Sequence, residues 1–324
     1  MTRKNLLSLL AVAAVLAGAA LLLNNQSKPK APRLIGKAIL PAFSLADVAR
    51  IEIGDGLVLS AGEQGWRIDT LFGYPADREK IVANVLRLAD LKVGQVARGR
   101  TIAKPTSLVL KDAAGGTLAA LTLGETRFRK ATGQAALYGG SYPDGRYLSF
   151  DGETVLVDDA LEAFDGDAKR WCSERIASIP SEAVSAVSFA HAGERVELDK
   201  GTNGVWTVKG ISPQEELDSS KTYSLDSALS YLDFTTVVDP GLSEAELGFS
   251  TGYVYTVTLK GGTNRVATVG NEVKGGSDRY FKLDGSRWIY TISSSAAQAM
   301  MKTRKDVVKV KEEAPKAEGE KMSD

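Results

Sequence analysis

Six local signals occur twice in this chain, in the same order, and that doubling limits its possible folds more than any other feature. Each copy has a Trp-bearing strand, an amphipathic helix, a Gly-Gly hairpin, an Arg-Tyr strand followed by Asp-Gly, and a short closing helix. Trp66 and Trp206 lie 140 positions apart, Gly115 and Gly261 146, and Asp151 and Asp284 133. Loop insertions and deletions between duplicated cores produce drift of this size, and matching order across six features does not come from composition alone. Two domains of ordinary size fit within 324 residues.

In the first copy, residues 47–53 (DVARIEI) alternate as a half-buried strand does. Asp77 is placed to cap a helix with apolar face Ile81, Val82, Val85, Leu86 and Ala89. Gly115-Gly116 and Asp151-Gly152 are hairpin turns, and residues 158–164 read as a closing helix. In the second copy, Ser220 is placed to cap a helix carrying Leu225, Ala228, Leu229 and Leu232 at helical spacing. Gly261-Gly262 and Asp284-Gly285 repeat the hairpins, and residues 293–302 form the last helix. The expected class is α+β: two internally repeated, mainly antiparallel sheets, each with one packed amphipathic helix, preceded by one transmembrane helix.

The transmembrane segment is read at residues 6–23, from Leu6 to Leu23, an uncharged run of Leu, Ala, Val, Ser and one Gly behind Arg3 and Lys4. Ala17 and Ala19 resemble a cleavage site, but cleavage there would leave Leu21, Leu22 and Leu23 at the mature terminus, so an uncleaved signal anchor is preferred. Lys28, Lys30, Arg33 and Lys37 lie beyond the span, yet long C-terminal domains translocate regardless of such charges. The expected organisation is a cytoplasmic N-terminus at 1–5, the anchor at 6–23 and a tether at 24–39. The repeats follow at 40–170 and 171–302, then a solvated charged tail at 303–324. The body is placed outside the bacterial cytoplasmic membrane, in the periplasm, held by a single pass.

Composition and chemistry point away from catalysis. Forty Lys and Arg balance forty Asp and Glu, so there is no concentrated basic footprint for nucleic acid. One His and one Cys cannot assemble the usual zinc ligand sets. His191 falls in a Gly-containing turn of one copy only, a poor platform for a general base, and is read as an exposed turn residue. Cys172, beside Trp171, is read as a small buried hydrophobe. Residues 270–277 approach a phosphate-loop spacing, but Gly276 stands where its lysine should be. Asp158-Asp159, Glu215-Glu216 and Asp165/Asp167 lack the regular spacing of a calcium loop. No cofactor, metal or catalytic residue is expected. Trp66, Trp206, Tyr147 and Tyr280 are read as packing residues. Phe72, Tyr74, Tyr138 and Tyr142 lie in aromatic loops that break the repeat, and they form the candidate interaction surface.

Residues 47–53, Trp66 to Ile68, Leu123-Gly124 and the Arg146 to Gly152 stretch, with the joining segment Trp171-Cys-Ser-Glu-Arg-Ile176, together resemble the bacterial domain-of-unknown-function family numbered 4340. Cys172 and Ser173 depart from the charged residues usual in that joining element. Association of the family's members with ABC-2-type, gliding-motility-type transporters implies an accessory role in the envelope. The resemblance supplies no catalytic residues. The expected function is a non-enzymatic, membrane-anchored extracytoplasmic scaffold or accessory subunit, with an envelope protein such as a transporter subunit as partner. The alternatives are a binding module for a glycan, peptide or lipid, and thirdly an envelope hydrolase.

Overall fold

In the computed structural model, residues 34–138 and 140–311 are described. The expectations for residues 1–5, for the anchor at 6–23 and for the tail beyond 311 lie outside them. Among the described residues, no helix is long and apolar enough to cross a membrane. The chain divides into two compact units. One comprises the chain up to Trp66 with Asp77–Asp167; the other comprises Arg67–Ala76 with the chain from Ala168 onward.

The first half contributes β1 (Arg50–Ile53), β2 (Leu57–Gly62), β3 (Gly65–Ile68), β4 (Tyr74–Pro75), α1 (Arg78–Ala89), β5 (Gln95–Val96), β6 (Thr106–Lys111), β7 (Thr117–Lys130), β8 (Ser141–Phe150) and β9 (Glu153–Val157). These strands form a sheet in the order β4-β3-β2-β1-β6-β7-β8-β9-β5. Its antiparallel register sets buried residues opposite one another: Ile51 faces Leu59 and Leu110, Ile53 faces Leu57 and Leu108, and Leu123 faces Leu148. Strict alternation of side chains is what lets one face of such a sheet become core.

Helix α1 begins where its chemistry requires. The Asp77 carboxylate accepts hydrogen bonds from the backbone N–H groups of Glu79 and Lys80. The stripe it buries is Ile81, Val85 and Leu88, while Leu86 and Ala89 are exposed. The expected face was rotated: Leu88 is the third member of the i, i+4, i+7 row, and Leu86 faces solvent. Each of those three aliphatic side chains contributes about 1.5–3 kcal/mol through burial. The last residues of the expected tether join this unit, because the Gly36 and Ile39 N–H groups donate to Val93 and Leu91 carbonyls.

The second half contributes β10 (Arg175–Ala177), β11 (Val184–His191), β12 (Glu194–Lys200), β13 (Trp206–Val208), β14 (Glu215–Leu217), β15 (Leu232–Asp233), β16 (Thr236–Val237), α2 (Glu244–Leu247), β17 (Tyr253–Leu259), β18 (Asn264–Glu272), β19 (Arg279–Leu283), β20 (Ile289–Ile292), α3 (Ser294–Met300) and β21 (Val308–Val310). Its main sheet runs β13-β12-β11-β17-β18-β19-β20-β16. Strand for strand, this matches the order β3-β2-β1-β6-β7-β8-β9-β5 of the first sheet. The fold is therefore mostly antiparallel β-sheet with three α-helices among the described residues, an α+β protein.

Three expected elements differ. The helix predicted from Ser220 to Leu232 is a 3-10 turn at Ser219–Lys221 followed by successive turns and β15. Leu225, Leu229 and Leu232 are buried as expected, but hydroxyl groups take the backbone that a helix would use. Thr222 Oγ1 donates to the Ser219 carbonyl, Ser227 Oγ donates to the Ser224 carbonyl, and Ser224 itself is left-handed at φ 70°. The closing helix expected at 158–164 shrinks to one 3-10 turn, Glu162–Phe164. The Asp159 carboxylate captures the Leu161 N–H, and Leu161 is left-handed. The solvated tail expected from Thr303 starts later. Residues 304–306 form a 3-10 turn, Val307 is fully buried, and β21 pairs with β14.

The Leu-Gly and Arg-Tyr signals are the two halves of one device. In β7 the register slips between Leu123 and Thr126, and in β18 it slips between Val269 and Glu272. At each slip a buried glycine carbonyl is met by an arginine from the next strand. Arg146 Nε donates to Gly124 O at 2.9 Å, and Arg279 Nη1 donates to Gly270 O at 3.1 Å. A bulge leaves backbone groups without ladder partners, and the guanidinium supplies the missing donor.

Candidate functional site

The predicted aromatic surface does not survive intact. Phe72 is exposed and left-handed at φ 56°, capping the 3-10 turn Asp69–Leu71. Tyr74 is buried within the second unit and is a core residue. Its ring lies 5.3 Å from Phe234, 5.4 Å from Trp288 and 6.2 Å from Tyr290, centroid to centroid. Its hydroxyl donates to the Ser173 carbonyl, and burial pushes its pKa well above the usual phenol value. Pro75 and the start of α1 mark the neighbourhood as a turn, and a tyrosine in a turn is indistinguishable in sequence from a surface aromatic. Tyr138 ends the 3-10 segment Gly133–Tyr138, and its side chain lies outside the described residues. Tyr142 is exposed on β8, opposite Arg129.

Tyr142 belongs to a feature that loop reading missed. Strands β7 and β8 continue past the bulge as a hairpin arm, with Phe128 opposite Pro143 and Lys130 opposite Ser141. The matching strands of the second unit, β18 and β19, are nine and five residues long against fourteen and ten. On this arm Phe128 is 62% exposed and Leu137 83%. The Asp144 carboxylate accepts from both Arg127 and Arg129, which ties the two strands of the arm together. The signal in the sequence was the run Arg127-Phe-Arg129, where an apolar residue alternates with cations on a strand too long for its counterpart.

His191 is not an exposed turn tip. It ends β11, with the turn proper at Ala192 and Gly193, both left-handed. Its ring is half-buried and stacks on Tyr253 with centroids 3.6 Å apart and planes 7° from parallel. Nδ1 is buried without a hydrogen-bond partner among the described residues. The ring lines a cavity of about 200 Å3 with Glu194, Arg195, Lys302, Thr303 and Arg304; buried Phe189 and Val196 complete the wall.

The remaining candidates are buried or engaged by neighbouring side chains. Cys172 is fully buried, its thiol toward the carbonyls of Ala168 and Lys169. Trp206 is buried whereas Trp66 is half-buried, and the Arg100 guanidinium lies 3.8 Å above the half-buried Tyr147 ring. Asp165 pairs with Arg146, and Glu216 pairs with Lys309. Glu215 accepts from Arg304 and from the Ser212 N–H, in that order of effect, which holds its carboxyl down at about 2. Among the described residues, no three His, Cys, Asp or Glu side chains converge as a metal site.

A pair of like-ordered antiparallel sheets, each with an arginine-braced bulge, places the protein in an α+β class. The sequence model described as Domain of unknown function (DUF4340) matches residues 66–247, more than half of the chain, and the chain belongs to that family. The matched stretch includes Gly124 and Arg146 of the first bulge and ends before Gly270 of the second. No curated protein and no solved structure matches it.

Proposed function

We propose that the protein is a non-enzymatic accessory subunit or scaffold of a cell-envelope complex, anchored by residues 6–23, with its duplicated body outside the cytoplasmic membrane. One observation carries the reading: the β7–β8 arm exposes Phe128, Leu137 and Tyr142 on an extension that the second sheet lacks. Where two sheets share one strand order, packing accounts for what they have in common, and an addition to one of them calls for a separate cause. Aromatic residues ringed by arginine, here Arg127 and Arg129, have the composition enriched at protein–protein interfaces. The partner is an envelope protein, with a transporter subunit as the leading class.

The test starts from full-length protein tagged and isolated from native membranes, with co-isolated proteins identified and the complex rebuilt from purified components. The expected result is a stoichiometric complex that survives in wild type and is lost in the triple variant Phe128→Ser, Leu137→Ser, Tyr142→Ser at unchanged thermal stability. Replacing residues 6–23 by a cleavable signal is expected to release the body from the membrane. A complex that the triple variant retains at full strength would remove the arm, and with it the support for this reading.

A further inference from the structure

The cavity beside His191 brings three cationic side chains up to a buried ring nitrogen that has no partner among the described residues. Three of its lining residues are permanent cations, Arg195, Lys302 and Arg304, and one, Glu194, is an anion. Two of the cations have carboxylate partners. Arg195 Nε donates to Glu197, and Arg304 donates through Nε and Nη2 to Glu215, with Gly210 O also on Nη2. Lys302 is half-buried just beyond the C-terminal end of α3, and the Asp306 carboxylate lies within reach of its charge. Beside it, His191 has a buried ring nitrogen without a partner, in a ring held flat against Tyr253.

A buried ring nitrogen is normally satisfied, because withdrawing it from water without a partner is costly. Here the His191 Nδ1 is such a group, and it lines a cavity whose other walls carry cations. A volume of about 200 Å3 falls below the roughly 300–1,000 Å3 usual for drug-sized ligands. It is ample for an oxyanion and a few attached heavy atoms. Guanidinium edges left over by Glu215 and Glu197 offer further N–H donors in the planar arrangement that suits carboxylate and phosphate oxygens.

We infer that this cavity is a binding site for a small oxyanion head group, a carboxylate or a phosphate. Its oxygens accept from the Lys302 ammonium, from the open edges of Arg195 and Arg304, and from His191 in the form that carries a proton on Nδ1. Phe189 and Val196 pack against the apolar remainder of the ligand. This site is separate from the β7–β8 arm, and neither proposal depends on the other.

The chain contains one histidine, so the imidazole resonance of His191 needs no assignment and reports directly on the cavity. Full-length protein with labelled histidine is titrated with inorganic phosphate and, separately, with acetate, at constant ionic strength held by chloride. The expected result is a saturable shift of the His191 signal with one of the two anions at millimolar concentration. The anion that saturates first identifies the head group. Lys302→Ala is expected to weaken the response about tenfold or more, as loss of one charge-assisted hydrogen bond does. Arg195→Ala serves as a second variant on an exposed side chain whose loss leaves the β14–β21 pair untouched. A linear, non-saturating shift with both anions, or an unchanged saturation curve in Lys302→Ala and Arg195→Ala, overturns the site.

Discussion

Replacing Arg146 by alanine is expected to cost the first unit about 3 kcal/mol, while the matching change at Arg279 costs the second only about 1. The difference comes from what each guanidinium leaves behind. Arg146 is a buried residue that donates to two buried carbonyls, Gly124 O and Leu161 O, and to the Asp165 carboxylate. A buried acceptor left without its donor costs about 1–3 kcal/mol, so two of them set the scale. Asp165 adds little, since its side chain is 42% exposed and water can replace the lost partner. Arg279 satisfies one buried carbonyl, Gly270 O, and lies 3.6 Å from the exposed Glu272, while its own side chain already reaches solvent. For units of this size a loss of 1 kcal/mol lowers the melting temperature by about 3–5 °C. Calorimetry of the full-length chain should therefore show one transition fall by about 10 °C in Arg146→Ala and by a few degrees in Arg279→Ala. Equal losses, or a larger loss at Arg279, would refute the view that the arginine is there to serve the bulge carbonyl.

Three further outcomes are expected. Gly270→Ala should destabilise by roughly 3 kcal/mol or more, and Gly124→Ala by about 1–2. An added Cβ meets Leu247 O at 2.0 Å in the first case, and Tyr147 O and Ile102 at 3.0 Å in the second; denaturant midpoints rank them. Glu215 binds its proton more weakly folded than unfolded, so its contribution is complete above pH about 4.5, the ordinary value, and is lost as pH falls toward about 2. Melting temperatures of wild type should thus drop faster than those of Glu215→Gln between pH 5 and 2, and the two should converge at the acid end. Truncation after Lys302 removes buried Val307 and the partner of β14, and should increase amide exchange at Glu215–Leu217 far more than elsewhere.

What could be read in the chain was its strand grammar. Alternating residues such as Ile51 and Ile53, the paired glycines at 115 and 261, and the Asp77 cap each state a local rule that tertiary contacts obeyed. Prediction failed where a local rule had a rival. Leu225, Leu229 and Leu232 keep helical spacing and are buried, yet Ser219, Thr222, Ser224 and Ser227 supply hydrogen bonds that favour turns. Tyr74 looked like a loop aromatic because nothing near it in sequence reveals Phe234, Trp288 or Tyr290, which come together only in the fold. His191 was misplaced for the same reason. Its neighbours Lys302 and Arg304 lie more than a hundred residues on, and no periodicity links them.

The pairing of β21 with β14 joins Leu217 to Val308, 91 positions apart, after every strand of the main sheet has already been made. A chain synthesised from its N-terminus can close the first sheet before Val308–Val310 are made, whereas the β14–β21 pair cannot form without them. Until then β14 presents an open edge, the Asp218 N–H lacks the Val307 carbonyl, and the slot for Val307 stands empty. The second unit thus keeps one of its edges covered by residues far along the chain, and a protein lacking Val308–Val310 would leave β14 without its partner.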